Sequence, residues 1–544
     1  MKSYLQTILQ NALDKISPEP AKPDIIIEKP RTPEHGDAAT NLAMTLAGTL
    51  RMPPRKIAEQ LIQNLDYDAS KIKAVEIAGP GFINFRYADN WLFDQLGEVI
   101  KLGADYGKTT GNSGKKMQVE FVSANPTGPL TVGHGRNAVL GDTIARLLEW
   151  TGADVDREYY FNNAGRQMRV LGESVRARYL QLLGEEAELP EGGYEGAYIA
   201  DIAQQLIDTH GDKLRDSQPD NPQFKQAAED AIFEDIRNTL DRMNIRMDQF
   251  FNENSLYEDK SIDSVVKRLR DKGLAYDKDG ATWFKTTAFG KEKDTVLIKS
   301  SGEPTYRLPD IAYHISKLER GYDLCVDIFG ADHIATYPDV VSALKALGYD
   351  SSKIDVQVYQ FVTIVKDGQP FKMSTRKANF VTLDELMNEV GPDVTRFFFL
   401  MRTPGTHLEF DIAEAKEAGE KNPVFYLQYA HARIHSIMVK AAEEYDMKQT
   451  PDLSLLIHDS EIALIKQIFQ FPDAIALASQ HREPHRLITY MNEVAGHFHK
   501  FYHDCRIMGE DAPVARARIA LLEATRNTLA NGLRILGISA PEKM

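Results

Sequence analysis

Residues 117–160 read MQVEFVSANPTGPLTVGHGRNAVLGDTIARLLEWTGADVDREYY, and the order of patterns inside them decides the fold. Residues 117–123 carry a strand pattern, and Pro126, Gly128 and Pro129 then turn the chain. A helix is expected from about 134 to 150, and 154–160 reads as a second strand. Strand, loop, helix, strand is the opening of a doubly wound sheet. Gly133, His134 and Gly135 stand at the helix start, where unpaired amides and the positive end of the helix favour phosphate. His134 can donate to a phosphate oxygen, and the two glycines let a flat ring approach the backbone. A tight strand–helix turn with a capping histidine fits the same residues. The stretch has neither the Gly-x-Gly-x-x-Gly turn nor the P-loop lysine, which weighs against a Rossmann oxidoreductase.

Upstream, residues 1–16 pattern as an amphipathic helix, followed by a link with Pro18, Pro20, Pro23 and Pro30. A helix is expected over 38–50, another opens at Pro53 and Pro54, and 71–86 reads as two strands about Gly79-Pro80-Gly81. A further helix, 90–102, precedes a Gly/Lys-rich link. Downstream, 165–270 is long and mainly helical, too long for one crossover, and so predicts an inserted layer. Sheet-like sequence resumes at 281–299, 323–329 and 354–362, with a helix over 338–347. From about 382 onward nearly everything reads as helix, with long segments at 411–445, 452–469, 472–504 and 512–536.

The length, 544 residues, corresponds to three or four domains at ~150 residues each, far beyond a small binding module. The formal net charge of -15 taken alone disfavours a nucleic-acid partner. Its distribution changes that reading. Residues 1–112 carry 13 basic and 14 acidic side chains, 391–544 carry 17 and 20, and 113–390 carry 34 and 45. The excess acid lies in the middle, while the flanks are nearly neutral. The 2 cysteines, Cys325 and Cys505, give no disulfide framework and no Cys-based metal cluster, which suits a reducing compartment. No stretch reaches 18 apolar residues, so a soluble, cytoplasmic chain is expected.

Three further clusters carry polar chemistry. QPFKMSTRKANFVTL (369–383) places Lys372, Arg376 and Lys377 in a polar loop before a helix, where they can clamp a polyphosphate or form a solvated basic turn. Glu253, Tyr306, Asp310 and Asp332 are acceptors that would suit a guanidinium or ammonium, or be ordinary surface acid. Tyr306 and Asp310, four apart, share a face if that segment is helical. His314 and His333 have no third metal ligand at a useful spacing. In NPVFYLQYAHARIHSI (422–437), Tyr426 and Tyr429 can stack on unpaired bases and Arg433 can meet phosphate, although a bundle core with a polar edge explains much of it.

The fragments VEFVSANPTGPLTVGHGRNAVLGD, TYRLPDIAYH, KMSTRKAN and NPVFYLQYAHARI, in this order, resemble the bacterial-type arginyl-tRNA synthetases of the class I aminoacyl-tRNA synthetase family. The resemblance covers nearly the whole chain. It implies a multidomain α/β protein. A small N-terminal α/β domain (1–112) would touch tRNA, and a Rossmann-like catalytic domain (113–385) would carry a mainly helical insertion within about 165–270. A helical anticodon-binding domain (386–544) would complete it. It implies activation of L-arginine by ATP with Mg²⁺, transfer to the terminal adenosine of tRNA(Arg), a tRNA requirement for the first step, no structural metal, no membrane association and a monomer.

The resemblance also assigns roles. His134, Lys372, Arg376 and Lys377 would be catalytic, and Thr131, Gly133, His134, Asn137, Lys372, Met373 and Ser374 would bind ATP. Ser123, Asn125, Glu253, Tyr306, Asp310, Asp332 and His333 would bind arginine, and Tyr426, Gln428, Tyr429 and Arg433 would meet tRNA. Two positions depart from the family pattern: Thr131 stands where the first signature loop usually has histidine, and Thr375 where the second usually has lysine. Those departures are the features that would suit a non-catalytic tRNA-binding or regulatory relative. Retained His134, Lys372 and the acidic residues favour the enzyme.

Overall fold

A computed structural model describes residues 1–17, 23–30, 32–366, 368–370, 381–417, 419 and 422–544. At the N-terminus, α1 (Lys2–Ile16) buries Leu5, Ile8, Leu9, Ala12 and Leu13, the i, i+3, i+4 stripe of an amphipathic helix. Next come β1 (Ala38–Thr40), α2 (Leu42–Leu50), α3 (Pro54–Asn64), β2 (Ile72–Ala78), β3 (Phe82–Tyr87) and α4 (Asp89–Leu102). The strands form an antiparallel sheet in the order β1-β3-β2. Residues 38–40 were expected to be helical. They pair instead with Ile83–Phe85, and the Thr40 hydroxyl accepts from Leu42 N–H at 3.2 Å as the helix starts. This unit has its own hydrophobic core, built from α1, α2, α3 and the sheet.

The centre is a five-stranded parallel sheet in the order β11-β10-β4-β5-β6. β4 (Lys116–Glu120) leads through a loop to α5 (Val132–Trp150) and β5 (Asp154–Phe161). α5 lies close on the sheet end: a Cβ at Gly141 would stand 2.2 Å from the Phe121 ring. The helices α6 (Gly165–Leu182), α7 (Ala197–His210) and α8 (Pro222–Arg242) form the inserted layer. β6 (Gln249–Asn252) then rejoins the sheet beside β5, so the helical run ends earlier than the expected 270. Four residues of strand are too short to show a period among helical neighbours. After α9 (Ser255–Glu258) and α10 (Ser261–Asp271), a small antiparallel sheet is formed by β7 (Ala275–Lys278), β8 (Ala281–Phe284) and β9 (Thr295–Ile298). The main sheet resumes through α11 (Arg307–Glu319), β10 (Leu324–Gly330), α12 (Tyr337–Leu347) and β11 (Ile354–Tyr359).

β12 (Val362–Lys366) and β13 (Gln369–Pro370) precede α13 (Leu383–Val390) and α14 (Pro392–Leu400). β14 (Leu408–Asp411) pairs in parallel with β12, where helix was expected. Leu408 and Phe410 point inward and Glu409 outward, the period of a strand. The helices α15 (Ile412–Lys416), α16 (Pro423–Glu444), α17 (Asp459–Ile468), α18 (Phe471–His481), α19 (His485–Asp504) and α20 (Ala512–Leu536) complete the chain. The segment 472–504 is two helices, because Arg482 takes a left-handed conformation (φ 54°) just before Pro484. The apolar stretch Asp459–His481 is the one candidate membrane span among the described residues, and its two helices pack against α19 and α5 inside the bundle. One continuous core joins the parallel sheet, the insertion and this bundle.

Candidate functional site

The site lies at the C-terminal edge of the parallel strands, where doubly wound sheets place ligands. β4 stops at Glu120, short of the expected 123, because Val122 and Ser123 both adopt left-handed angles (φ 67° and 46°). Such angles cost a β-branched residue about 1–3 kcal/mol. Asn137 on α5 holds the turn: its Oδ1 accepts from Val122 N–H at 2.6 Å and its amide donates to the Ile328 carbonyl at 2.8 Å. Asn137 was expected to bind ATP. It is buried, and both its polar atoms engage the backbone, one at the turn after β4 and one on β10.

Thr131 caps α5. His134 N–H donates to the Thr131 hydroxyl at 3.3 Å, and Thr131 N–H donates to His134 Nδ1 at 3.1 Å. Because Nδ1 accepts, the proton of the neutral ring sits on Nε2, which is left as a donor. Burial lowers the His134 pKa, which keeps the ring neutral near pH 7. A Cβ at Gly133 would meet only the Thr131 hydroxyl, at 3.6 Å, so the backbone there is open to a ligand. Gly135 is different: a Cβ would stand 2.5 Å from Leu383 and 3.0 Å from the Phe399 ring, so this glycine serves packing within the protein. Lys372, Met373, Ser374, Arg376 and Lys377 lie outside the described residues. Beyond them, Thr382 bridges to Thr131, and Leu383 N–H donates to the Leu130 carbonyl at 2.8 Å.

Glu253, just past β6, is 7% exposed. The Tyr160 hydroxyl donates to its Oε2 at 2.6 Å and the Asn162 amide to its Oε1 at 2.7 Å. Burial, then the negative charge of Asp310, raises the Glu253 pKa, although the Tyr160 bond opposes this. Asp310 stands on the first turn of α11, and Tyr306 precedes that helix with its side chain 87% exposed. Ser123 donates to Glu120 Oε1 at 2.9 Å and accepts from Tyr160 N–H at 3.2 Å. Asn125 accepts from Asn162 N–H at 3.1 Å and donates to Gln167 Oε1 at 3.0 Å. Asp332 and His333 lie on the 3₁₀ turn Ala331–Ala335 after β10, and the His333 ring stacks on Phe329 at 5.2 Å. Two carboxylates, Glu253 and Asp310, are thus close enough to interact, with two hydroxyls, Tyr160 and Tyr257, and one amide aimed at Glu253.

Beneath this surface runs a buried charged network that sequence reasoning missed. Lys317 Nζ, fully buried, donates to Glu120 Oε2 at 2.5 Å and Asp327 Oδ1 at 2.6 Å. His314 Nε2 meets Asp327 Oδ2 at 2.9 Å. Against the cost of burial, Lys317 and His314 hold the Asp327 carboxyl below the usual range. Alongside, Tyr313 donates to Glu158 Oε1 at 2.7 Å, and Arg320 pairs with the same carboxylate. The signal was present in the sequence: Asp310, Tyr313, His314 and Lys317 fall at i, i+3, i+4 and i+7, the spacing of a helix's inner face. Among the described residues, no group of three or more His, Cys, Asp or Glu is arranged to hold a metal.

On the helical bundle, the Arg433 guanidinium lies 4.5 Å from the Tyr502 ring centre and donates to the Tyr429 hydroxyl at 2.6 Å. Tyr429 stacks near His499, and Tyr426 lies 4.8 Å from the same ring. Gln428 was expected to face tRNA. It is buried, and its amide donates to Asp393 at 2.9 Å and to Ser539 at 3.1 Å, which commits it to holding the tail that follows α20.

Family comparison agrees with this anatomy. Residues 3–87 match the arginyl tRNA synthetase N terminal domain. Residues 95–396 match the catalytic domain of class I (R) tRNA synthetases, and 427–544 match the DALR anticodon binding domain. The chain is 54% identical over 563 residues to the arginine–tRNA ligase of Salinibacter ruber, covering 100% of both chains. It is 52% identical to that of Desulfotalea psychrophila, covering 95% of this chain and 94% of the relative. The structure of Thermus thermophilus arginyl-tRNA synthetase shares the fold, with a TM-score of 0.78 at 22% identity over 100% of both chains. With its Rossmann-like core, N-terminal domain and DALR-type helical domain, the chain belongs to the bacterial-type arginine–tRNA ligases of the class I synthetase family.

Proposed function

We propose that the chain is an ATP-dependent arginine–tRNA ligase. The reading is carried by one observation: a neutral His134 with a free Nε2–H at the start of α5 stands on the same sheet edge as the Glu253 and Asp310 carboxylates. A helix N-terminus suits phosphate, and paired carboxylates suit a guanidinium. L-Arginine and MgATP enter as substrates. The arginine carboxylate attacks the α-phosphorus in line, a P–O bond forms, and the bond to pyrophosphate breaks with its electron pair leaving on pyrophosphate. A hydroxyl of the terminal adenosine of tRNA(Arg) then attacks the arginyl carbonyl, loses its proton, and AMP departs.

In this reading, Glu253, Asp310 and Tyr306 hold the guanidinium, while Ser123 and Asn125 hold the backbone end of arginine. Asp332 and His333 line the far wall. Thr131, Gly133, Lys372, Met373 and Ser374 seat ATP. His134 and the cations Lys372, Arg376 and Lys377 stabilise charge building on the phosphates, a role of position and electrostatics with no covalent enzyme intermediate. Tyr426, Tyr429 and Arg433 meet tRNA by stacking and phosphate contact.

The division into 1–112, 113–385 and 386–544 is part of the proposal, with β14 of the last unit reaching back to β12. So are a monomeric state and cytoplasmic residence, the latter in keeping with the two buried free cysteines. The test is aminoacylation of total tRNA with each amino acid in turn. Charging by arginine alone is the expected result, and charging by another amino acid, or by none, would overturn the reading.

A further inference from the structure

The buried network under the sheet ends at both extremes of the proposed arginine seat. At one end is Asp310; at the other, through Lys317 and Glu120, is Ser123. The residue that joins Asp310 to the rest is His314. Its Nδ1 faces the Asp310 backbone carbonyl at 2.8 Å and Asp310 Oδ1 at 3.3 Å, and its Nε2 faces Asp327 Oδ2 at 2.9 Å. A backbone carbonyl only accepts, so Nδ1 carries a proton. An ionised carboxylate also only accepts, so Nε2 carries one too. The ring is therefore an imidazolium, although it is 2% exposed.

Burial and the nearby Lys317 push its pKa down. The Asp327 charge and the bonds to Asp310 and Asp327 prevail and raise it to about 10. The charged and titratable groups around the ring are Asp310, Tyr313 and Lys317 on its own helix, Asp327 on β10 and Glu120 on β4. A buried cation of this kind is costly unless it is fully paired, and one of its partners is a carboxylate of the substrate seat.

We propose that His314 is a positioning residue of the arginine site: anchored on Asp327, it sets the orientation of the Asp310 carboxylate toward the guanidinium. The inference rests on the reading of Asp310 as part of the arginine seat. It also explains why α11 carries its polar residues inward. The helix is a rigid arm that ties the guanidinium end of the seat to the same Lys317–Glu120 pair that holds Ser123.

Two substitutions separate positioning from mere stability, because an amide can imitate one ring nitrogen at a time. Asparagine places its NH₂ near the Nδ1 position and keeps a donor toward Asp310. Glutamine places its NH₂ near the Nε2 position and keeps only the bond to Asp327. In arginine-dependent ATP–pyrophosphate exchange with tRNA present, His314→Gln should raise the arginine KM about tenfold, the order expected for losing a hydrogen bond to a charged group. The ATP KM should stay unchanged, and His314→Asn should restore most of the arginine KM. Equal rises of both KM values in both variants, or no change in either, would overturn the inference.

Asp310→Asn is measured beside them. If Asp310→Asn leaves arginine binding unaltered, the seat itself is misassigned and the inference falls with it. If Asp310→Asn weakens arginine and His314→Gln does not, only the inference falls. A readout on the unsubstituted protein covers the case in which the variants fail to fold. In ¹⁵N-histidine NMR, one of the 14 histidines should show two protonated ring nitrogens that do not titrate between about pH 6 and 9, with an Nδ1 signal that moves on adding arginine. Absence of such a signal, or its indifference to arginine, would overturn the inference.

Discussion

At the scale of single residues, the chemistry rests on protonation states that the surroundings impose. His134 is held neutral by burial and by the N–H donated to Nδ1, so it acts as a hydrogen-bond donor and not as a cation. Replacing His134 with Ala should lower kcat for arginine activation by ~10²–10³, the usual loss for a donor that acts in the transition state. Retained wild-type exchange activity would refute that role. Glu253 titrates above its ordinary range, first because it is buried and second because Asp310 is near. It must be ionised to hold a guanidinium. The kcat/KM for arginine should therefore fall on the acid side from a pH above the ordinary carboxylate value of ~4.3. The kcat/KM for ATP, measured at saturating arginine, should not share that limb. The same raised pKa means that Glu253 favours the folded protein most when protonated, and that contribution fades as pH rises through the folded-state value. Added arginine should accordingly raise the melting temperature more at neutral than at acid pH. His134, Ser123, Glu253 and Asp310 were legible as candidates because their fragments have recognisable residue types. The partners of Asn137 and Gln428 were not legible, because sequence shows that a residue is polar and not which strand end or chain tail it engages.

At the scale of elements, long periodic helices and the strand–loop–helix–strand opening were legible, since each repeats its pattern over several turns or pairs. β6 and β14 were not, because four residues carry too little period to compete with helical neighbours. The inward polar face of α11 was written at helical spacing and still escaped. Its partner Glu120 lies 197 residues away in sequence, and only the parallel pairing of β10 with β4 sets it beside Asp327, the partner on the strand that follows α11. That network should be intolerant of losing one member. Lys317→Met leaves Asp327 and Glu120 buried without their shared cation and should cost ~3–5 kcal/mol in urea denaturation. A loss under about 1 kcal/mol would show that water or relaxation replaces the lysine. The α5 brace is a smaller case: Asn137→Ala orphans the Val122 N–H and the Ile328 carbonyl and should cost about 1–3 kcal/mol by the same measurement.

At the scale of the whole molecule, the cores set the cooperativity. The part of the N-terminal unit before α4 has a core of its own and reaches α4 and the bundle through Lys466 with Asp37 at 2.6 Å, Lys29 with Gln467 at 3.0 Å and the Tyr87 ring on Trp91, whereas α4 buries Leu92, Leu96 and Val99 in the core shared with the bundle. The sheet, insertion and bundle share one core. Calorimetry should therefore resolve two transitions, and Lys466→Ala should lower the smaller one while leaving the larger in place. A single transition that shifts as a unit would contradict this. The excess acid of the middle segment is also clearer at this scale, since part of it is spent internally. Asp142 is one such acid: it lies buried against Arg396 at 2.6 Å and Arg146 at 2.8 Å. Arg396 in turn donates to the carbonyls of Met243 and Leu536, so α5, the insertion, α14 and the end of α20 meet at one guanidinium. That junction has a consequence for biosynthesis. A nascent chain emerging from the ribosome can form the parallel sheet early, yet Arg396 cannot complete its bonds until the last helix has been made. Leu536 lies 140 residues after Arg396, so this junction can close only once that stretch has been synthesised, and it should form after the contacts within the sheet.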